Sequence, residues 1–308
     1  MFTEGQLERD SIETLKELLE DKLSEYKIAI KFMLAYNPLL EGNTPLFRGV
    51  HCPLRPDTIS RISYPQPDHV TTLQRASRIG QPRFYCSCAS PGVFYELHAK
   101  QGDLIAWSRW EVQEPLWMYN IGYNPEALRR IGAQERNVAL RWPVTHAIPD
   151  ETPENGRISR EVSEAFTTDV PAGKEYLYKL SIALNESFEQ VKFEFPDDGP
   201  DLPRHKRIAG TVYPSMRMRG DADNIVLLPE FVRSSLALKM VQYVRVEAAN
   251  EETSSYTFLT IAISNGFSDD NIEWMETLGP EDDRRCHIAL ENGHWVGRDG
   301  YNRLCFSK

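Results

Sequence analysis

The stretch that decides the fold covers residues 74–97 and has the sequence QRASRIGQPRFYCSCASPGVFYEL. Arg75 and Arg78 precede a Gly-Gln-Pro turn, and a run that favours a β-strand begins at Arg83. A Ser-Pro-Gly break follows, and the last piece places one carboxylate, Glu96, among apolar and aromatic residues. A turn, a strand, a second turn and an apolar element with one acid can line a pocket. An edge strand with ordinary solvated charges is the alternative.

Length and composition are those of a globular protein. The chain has 308 residues, enough for one large or two ordinary domains, and 41% of them are hydrophobic. A net charge of −10 argues against non-specific binding to a nucleic-acid backbone or to an anionic membrane surface. No apolar run approaches the ~18 residues of a membrane-spanning helix, and the acidic N-terminus lacks a signal-peptide core. We therefore expect a cytoplasmic protein with no direct nucleic-acid or membrane partner.

The cysteines are five in number and irregularly spaced: Cys52, Cys86, Cys88, Cys286 and Cys305. The C-x-C pair at 86 and 88 would share one face of a strand, because side chains alternate along it. A zinc site needs a second close pair or histidines at fixed spacing, and the sequence has neither. We expect reduced thiols and no bound metal.

An amphipathic helix is predicted over residues 10–36. Residues 10–13, Asp-Ser-Ile-Glu, offer a capping box, and apolar residues then recur at helical spacing. We expect this helix to pack on the main domain through Leu15, Leu19 and Leu23. A partner-binding surface, including one that forms a homodimer, is the alternative.

The remaining elements are mostly short strands. Helices are predicted within 125–145 and at 158–168, with a polar loop at 149–157. Strands are predicted at 83–87, 116–123, 176–183, 209–213, 224–228, 236–248 and 256–263, with a hairpin at 287–298 that turns at Asn292-Gly293. The aromatic residues of 104–123 are interpreted as core, since base stacking would need a basic groove. Few βαβ alternations occur, so we expect an α+β fold with a strongly bent, mostly antiparallel sheet.

Three segments of the chain carry a joint pattern. The first is an apolar segment with one arginine, Arg48, in its middle. In the second, residues 74–97, Glu96 lies eleven positions after Tyr85. The third reads Tyr-Pro-Ser-Met-Arg at 213–217 and is followed by Asn224 at the start of an apolar strand.

Together, these segments resemble the RES domain family, named for its Arg, Glu and Ser. Arg48, Glu96 and Ser215 match the three named residues. The family's Gly-Arg-Trp-Asn turn corresponds to Gln-Arg75-Ala-Ser77, so its tryptophan is absent here. The resemblance covers roughly residues 44–230. It implies an N-terminal helical extension over 1–43 and a catalytic domain over 44–308, with an insert of about 97–209 and a strand-rich C-terminal extension.

The resemblance also implies a fold and an activity. The fold would be similar to that of ADP-ribosyltransferases, a split, mostly antiparallel sheet with flanking helices that binds NAD⁺ in a cleft. RES proteins are typically toxins of bacterial toxin–antitoxin pairs, and they degrade NAD⁺ by phosphorolysis or hydrolysis. NAD⁺ is then a substrate, with inorganic phosphate as co-substrate in the first case, and no resident cofactor is needed. The antitoxin would be a separately encoded protein, because no DNA-binding helix-turn-helix is evident.

The residue types suit this chemistry. Cleavage of the nicotinamide–ribose bond develops positive charge on the ribose, which the Glu96 carboxylate can stabilise. Arg48 and Arg75 offer bidentate donors for phosphate groups. The predicted catalytic residues are Arg48, Glu96 and Ser215. The other predicted NAD⁺-binding residues, expected near the nicotinamide or ribose, are Ser77, Tyr85 and Asn224.

Two other functions stay open at this point. One is the transfer of ADP-ribose to a macromolecule, with residues 104–123 as the candidate acceptor surface. The other is a non-catalytic module that binds a nucleotide or a protein. Each site residue also has a structural alternative: Glu96 as an ion-pair partner of Arg48, Tyr85 as a core aromatic, Ser215 as a turn hydroxyl and Asn224 as an ordinary strand residue.

Overall fold

The structure is a computed structural model that describes residues 2–24, 44–114, 116–135, 153–189, 193–194, 205–206, 208–250, 255–291, 294–301 and 304–307. Its helices are α1 (Glu4–Arg9), α2 (Ile12–Ser24), α3 (Gly92–Glu96), α4 (Pro125–Arg130), α5 (Pro153–Thr167), α6 (Tyr178–Glu189), α7 (Pro229–Ser235) and α8 (Glu281–Arg284). Its strands are β1 (Pro45–His51), β2 (Phe84–Ser87), β3 (Leu104–Val112), β4 (Met118–Asn120), β5 (Phe193–Glu194), β6 (His205–Lys206), β7 (Gly210–Pro214), β8 (Asp223–Leu227), β9 (Leu236–Asn250), β10 (Ser255–Ser268), β11 (Asn271–Glu276), β12 (Arg285–Glu291), β13 (His294–Asp299) and β14 (Leu304–Ser307).

The chain forms two compact units, each built from three separate segments. Unit 1 consists of Met1–Gly42, Pro65–Tyr85 and Gln113–Ser235, and unit 2 of Asn43–Tyr64, Cys86–Val112 and Leu236–Lys308. Arg48 and Glu96 belong to unit 2, whereas the other predicted site residues belong to unit 1. The chain first passes from one unit to the other between Gly42 and Asn43, and residues 44–308, the predicted catalytic domain, contribute to both units.

Unit 2 is built on an antiparallel sheet. Its strands lie in the order β14-β13-β12-β10-β9-β3-β1-β2. The long strand β10 pairs with β9 along one edge, and along the other with β12 in its first half and β11 in its second. The long strands predicted at 236–248 and 256–263 are confirmed. The predicted hairpin at 287–298 is confirmed as the β12–β13 pair, and its turn at 292–293 lies outside the described residues.

Unit 1 combines short strands with helices. Three of its strands lie in the order β8-β7-β4, with β7 and β8 antiparallel and β4 parallel to β7, and β5 and β6 form a separate antiparallel pair. The strands predicted at 209–213 and 224–228 are confirmed, whereas the strand predicted at 116–123 is shorter and covers only Met118–Asn120. β4, β7 and β8 are buried along their whole length. These strands and helices α2, α5 and α6 enclose the hydrophobic core of the unit.

The N-terminal helix packs as predicted where the structure describes it. Leu15 and Leu19 are 0% exposed and lie in one cluster with Ile182, Leu184 and Phe188 of α6. The side chain of Leu23 and residues 25–36 fall outside the described part. The predicted capping box is wrong in detail, because Ser11, not Asp10, accepts the first-turn N–H, that of Thr14, at 3.1 Å. Asp10 has extended backbone and separates α2 from α1.

Two other sequence predictions are wrong. Residues 176–183, predicted as a strand, form a short 3-10 turn followed by α6. α6 is buried on most sides, so apolar residues occur around its circumference and hide the helical period. Helix α5 begins at Pro153 and not at 158, which leaves only residues 149–152 of the predicted polar loop, outside the described part. Proline is favoured at the first helical position because its φ is already helical.

The prediction of an α+β fold with a mostly antiparallel sheet is confirmed. Among the strand pairs whose register the structure describes, β4–β7 is parallel and the others are antiparallel. The interpretation of residues 104–123 as core is also confirmed, because Trp107, Trp110, Tyr119 and Tyr123 are buried. Among the helices that the structure describes, none has the length and apolar character required to cross a bilayer.

Candidate active site

The turn before β2 is organised around the hydroxyl group of Tyr85. Gln74 and Ser77 close the turn by two backbone hydrogen bonds of 3.0 and 3.2 Å. The Tyr85 hydroxyl accepts the Ala76 N–H at 3.0 Å and lies 3.1 Å from Ser77 Oγ. Burial raises the pKa of Tyr85, so the phenol stays neutral. The structure therefore brings Ser77 and Tyr85 together, and both support the turn.

Arg75 occupies the C-terminal end of helix α5. Its guanidinium donates to the carbonyl oxygens of Ala165 at 3.3 Å and Thr168 at 3.0 Å. It also lies over the rings of Tyr178 and Tyr213, at 5.2 and 5.8 Å from their centroids. A cation at this end of a helix is favourable because the last carbonyls carry partial negative charge. These contacts give Arg75 a structural role in unit 1, and its contact with a substrate phosphate stays a prediction.

The other two arginines of this stretch bind carboxylates of α6. Arg78 bonds Glu186 through two nitrogens and also pairs with Glu13 of α2. Arg83, which is 5% exposed, donates to both carboxylate oxygens of Glu189 at 3.0 and 2.8 Å. Burial raises the pKa of Glu189, while the charge of Arg83 opposes that rise. Both ion pairs attach the stretch to the helical side of unit 1.

Ser215 and Asn224 lie on neighbouring parts of the β7–β8 pair. Ser215 is fully buried, and its Oγ accepts the Met218 N–H at 3.1 Å. Its carbonyl oxygen accepts the Gly220 N–H at 2.8 Å, so Ser215 closes the turn between the strands. The Ser215 hydroxyl therefore stabilises this turn. Asn224 is 6% exposed and lies opposite Tyr213 in the register.

Arg48 is held in unit 2 by backbone oxygens. It lies on β1, and its Nε donates to the carbonyl oxygens of Ile62 at 3.1 Å and Ser63 at 3.0 Å. Burial raises the pKa of the neighbouring Cys86 thiol, and the charge of Arg48 opposes that rise. Because Nε is bonded, the plane of the guanidinium is oriented by the loop at residues 62–63.

Glu96 is the last residue of helix α3, which is anchored by aromatic packing. Phe94 stacks on Phe258 with ring centroids 4.7 Å apart. Tyr95 meets Tyr256 and Trp295 edge-on at 4.7 and 4.6 Å. Glu96 itself is exposed, whereas the three residues before it are buried. The structure therefore presents this carboxylate at the surface of unit 2 on a fixed helix.

Helix α3 packs against the face of β1 toward which a side chain at position 49 would point. A Cβ atom on Gly49 would lie 2.2 Å from Val93 Cγ1 and 2.7 Å from Leu97 Cδ1. Side chains alternate along a strand, so Arg48 projects from the opposite face of β1. The pairing of Glu96 with Arg48 and the convergence of the predicted site residues on one cleft both stay predictions.

The C-terminal end of α3 has a second set of contacts. His98 adopts a left-handed conformation with φ of 48°, and the N–H groups of His98 and Ala99 bond the carbonyls of Tyr95 and Phe94 at 3.2 and 3.1 Å. This is the Schellman arrangement, in which glycine usually takes the left-handed position. His51 Nε2 lies 3.3 Å from the Leu97 carbonyl oxygen. His51 was not among the residues predicted from the sequence, where it carried only the weak signal of a histidine at a strand end.

In the part of the chain that the structure describes, no three His, Cys, Asp or Glu side chains are grouped so that they could hold a metal ion. The cysteines at 52, 86, 88 and 286 form no disulfide.

Comparison with known proteins adds no family assignment. No protein-family model, no curated protein and no solved structure matches this chain.

Proposed function

We propose that this protein cleaves the nicotinamide–ribose bond of NAD⁺, as a phosphorylase or glycohydrolase of the RES type. The observation that carries the proposal is the presentation of Glu96, an exposed carboxylate at the end of a helix anchored by aromatic packing. A carboxylate on an anchored helix stabilises developing positive charge with less reorganisation than one on a free loop. We further propose that the mostly antiparallel sheet belongs to an ADP-ribosyltransferase-like fold.

The reaction places its charge where such a carboxylate is useful. The glycosidic bond breaks with its electron pair on the nicotinamide ring nitrogen, which neutralises the pyridinium and leaves positive charge at C1′ of the ribose. The Glu96 carboxylate stabilises that charge or holds a ribose hydroxyl. An oxygen of phosphate or water then bonds to C1′, and water loses a proton in doing so. The products are nicotinamide and either ADP-ribose 1-phosphate or ADP-ribose.

Arg48 would act on the phosphate groups. Its Nε donates hydrogen bonds to two carbonyl oxygens, and these contacts fix the orientation of the guanidinium group. A planar, oriented fork suits the pyrophosphate of NAD⁺ or an incoming phosphate. In this proposal Ser77 and Tyr85 shape the turn before β2. Arg75, Ser215 and Asn224 belong to unit 1, and their contact with NAD⁺ stays a prediction.

The test is product analysis with the purified full-length chain. NAD⁺ is incubated with and without inorganic phosphate, and the products are identified by liquid chromatography and mass spectrometry. We expect Glu96→Gln to lower the turnover of NAD⁺ by about 10²–10³, because the volume is kept and the charge is lost. Glu17→Gln, on the exposed face of α2, is the matched control and should leave turnover unchanged.

A comparison with Arg48→Lys separates binding from chemistry. This variant keeps the charge and loses the fork, so KM should rise while kcat changes little, because a phosphate clamp acts in ground and transition states alike. NAD⁺ turnover by Glu96→Gln at the parent's rate would make Glu96 structural. A parent protein that binds NAD⁺ but leaves it intact with every acceptor would be a non-catalytic module.

A second enzymatic proposal is the transfer of ADP-ribose to a macromolecule, which would appear as labelled protein or nucleic acid in the same assay. The burial of Trp107, Trp110 and Tyr119 counts against it, since these rings belong to the insert that would supply the acceptor surface. We also propose that the enzyme acts in the cytoplasm as a toxin, with a separately encoded antitoxin as its protein partner.

A further inference from the structure

Helix α3 is too short to keep its own geometry. It has five residues, and an isolated helix of that length is not stable in water because nucleation is costly. Aromatic packing fixes Phe94 and Tyr95, two residues and one residue before Glu96. The carboxylate itself is on the last helical residue, so its position depends on what holds the C-terminal end.

That end contains an unfavourable backbone conformation. His98 has φ of 48°, which a residue with a Cβ atom rarely adopts and which glycine adopts readily. Two backbone hydrogen bonds, from His98 and Ala99, support it. The Leu97 carbonyl oxygen is one of the last-turn acceptors that lack a partner within the helix.

His51 supplies a donor to that carbonyl oxygen. A carbonyl only accepts, so at 3.3 Å the proton of the contact belongs to His51 Nε2. The other ring nitrogen, Nδ1, lies 3.7 Å from Asp103 Oδ2. Asp103 is itself held, because the Lys100 N–H donates to Oδ2 at 2.7 Å and the Val246 N–H donates to its carbonyl oxygen at 2.9 Å. A continuous set of contacts therefore runs from β9 through Asp103 and His51 to the residue after Glu96.

We infer that His51 is a positioning residue, which fixes the C-terminal end of α3 and thereby the Glu96 carboxylate. The inference rests on the proposed function for its catalytic consequence, and on the geometry alone for its structural one. His51 is not assigned any contact with the reacting atoms. It acts through Leu97, and a small displacement of a charge-stabilising group is expensive in rate.

Amide hydrogen exchange and steady-state kinetics test the two consequences separately. The variants are His51→Ala, His51→Gln, His51→Ala with His98→Gly, and the control His69→Ala, an exposed histidine on a short 3-10 turn. We expect His51→Ala to speed the exchange of the His98 and Ala99 amides about fivefold, the effect of one lost hydrogen bond. We expect kcat to fall about tenfold, with KM changed less.

Two rescues make the result specific. Glutamine can donate to the Leu97 carbonyl oxygen. His51→Gln should therefore keep most of the parent's kcat, and its His98 and Ala99 amides should exchange as slowly as in the parent. Glycine suits the left-handed position, so His98→Gly should restore the kcat and the slow amide exchange when it is added to His51→Ala. His69→Ala should match the parent throughout.

Three outcomes overturn the inference or its basis. Unchanged amide exchange in His51→Ala would show that the contact does not hold the helix end. Faster exchange with an unchanged kcat would show that His51 has a structural role only. A parent protein without NAD⁺ turnover overturns the proposed function and the catalytic consequence, and in that case the exchange data still decide whether His51 fixes the end of α3.

Discussion

The substitution Gly49→Ala tests whether α3 is seated on β1 as the structure has it. The new methyl group would lie 2.2 Å from Val93 Cγ1 and 2.7 Å from Leu97 Cδ1, against an ordinary contact of about 3.5–4.0 Å between carbon atoms. Val93 is buried and β-branched, so its side chain has little freedom to turn away. Either both side chains leave their rotamers or the whole helix moves outward, and Glu96 moves with it.

The expected cost follows from these contacts. A side chain forced off its rotamer costs about 0.5–1.5 kcal/mol, so displacement of two side chains costs about 1–3 kcal/mol. Alanine also reduces the freedom of the unfolded chain, which offsets about 0.4–1 kcal/mol of that loss. We therefore expect Gly49→Ala to lower the free energy of unfolding by about 1–2 kcal/mol.

Urea unfolding followed by tryptophan fluorescence measures this difference. Gly156→Ala is the matched control, because Gly156 lies inside α5 and a Cβ atom there would have nothing within 4 Å. The same chemical change should raise the free energy of unfolding there by about 0.5–1 kcal/mol. If Gly49→Ala is as stable as the parent, α3 does not lie against β1 at such close distances, and the seating of Glu96 must be revised.

Three further predictions concern stability. Leu15→Ala, at a fully buried position of α2, should lower the free energy of unfolding by about 2–5 kcal/mol, and a loss under about 1 kcal/mol would contradict the packing of α2. Tyr85→Phe leaves the buried Ala76 N–H without its acceptor and should cost about 1–3 kcal/mol in the same assay, whereas a pure substrate-binding tyrosine would leave unfolding unchanged. Hydrogen bonding and charge from Arg285 hold the pKa of Glu247 below its ordinary 4.5, so this carboxylate stabilises the fold above that pH and loses its contribution as the pH falls through the lowered pKa. Glu247→Gln should therefore be less stable than the parent by about 0.2–1 kcal/mol at neutral pH and as stable as the parent in strong acid. Urea unfolding at both pH values measures this. The same difference in stability at both pH values would contradict the prediction.

Local sequence patterns determined the strands and the N-terminal helix. An alternation of apolar and polar residues, or a short apolar run between turn residues, is a property of neighbouring positions, and it identified β7, β8, β9 and β10 from the chain alone. The apolar stripe of α2 likewise identified Leu15 and Leu19 as core residues. The period failed for α6, because a helix buried on most sides needs no polar face.

The partners of the charged residues were decided by the tertiary structure. Arg75, Arg78 and Arg83 bind acceptors that lie 65 to 108 positions away along the chain. The spacing of residues within 74–97 contains no information about such distant groups. An arginine that binds a phosphate and an arginine in a structural ion pair therefore look the same in the sequence. The same holds for Gly49 and His51, whose importance comes from α3 being packed against them. A pattern reports what a residue can do, and only the fold decides which groups come within the few ångströms over which packing and hydrogen bonds act.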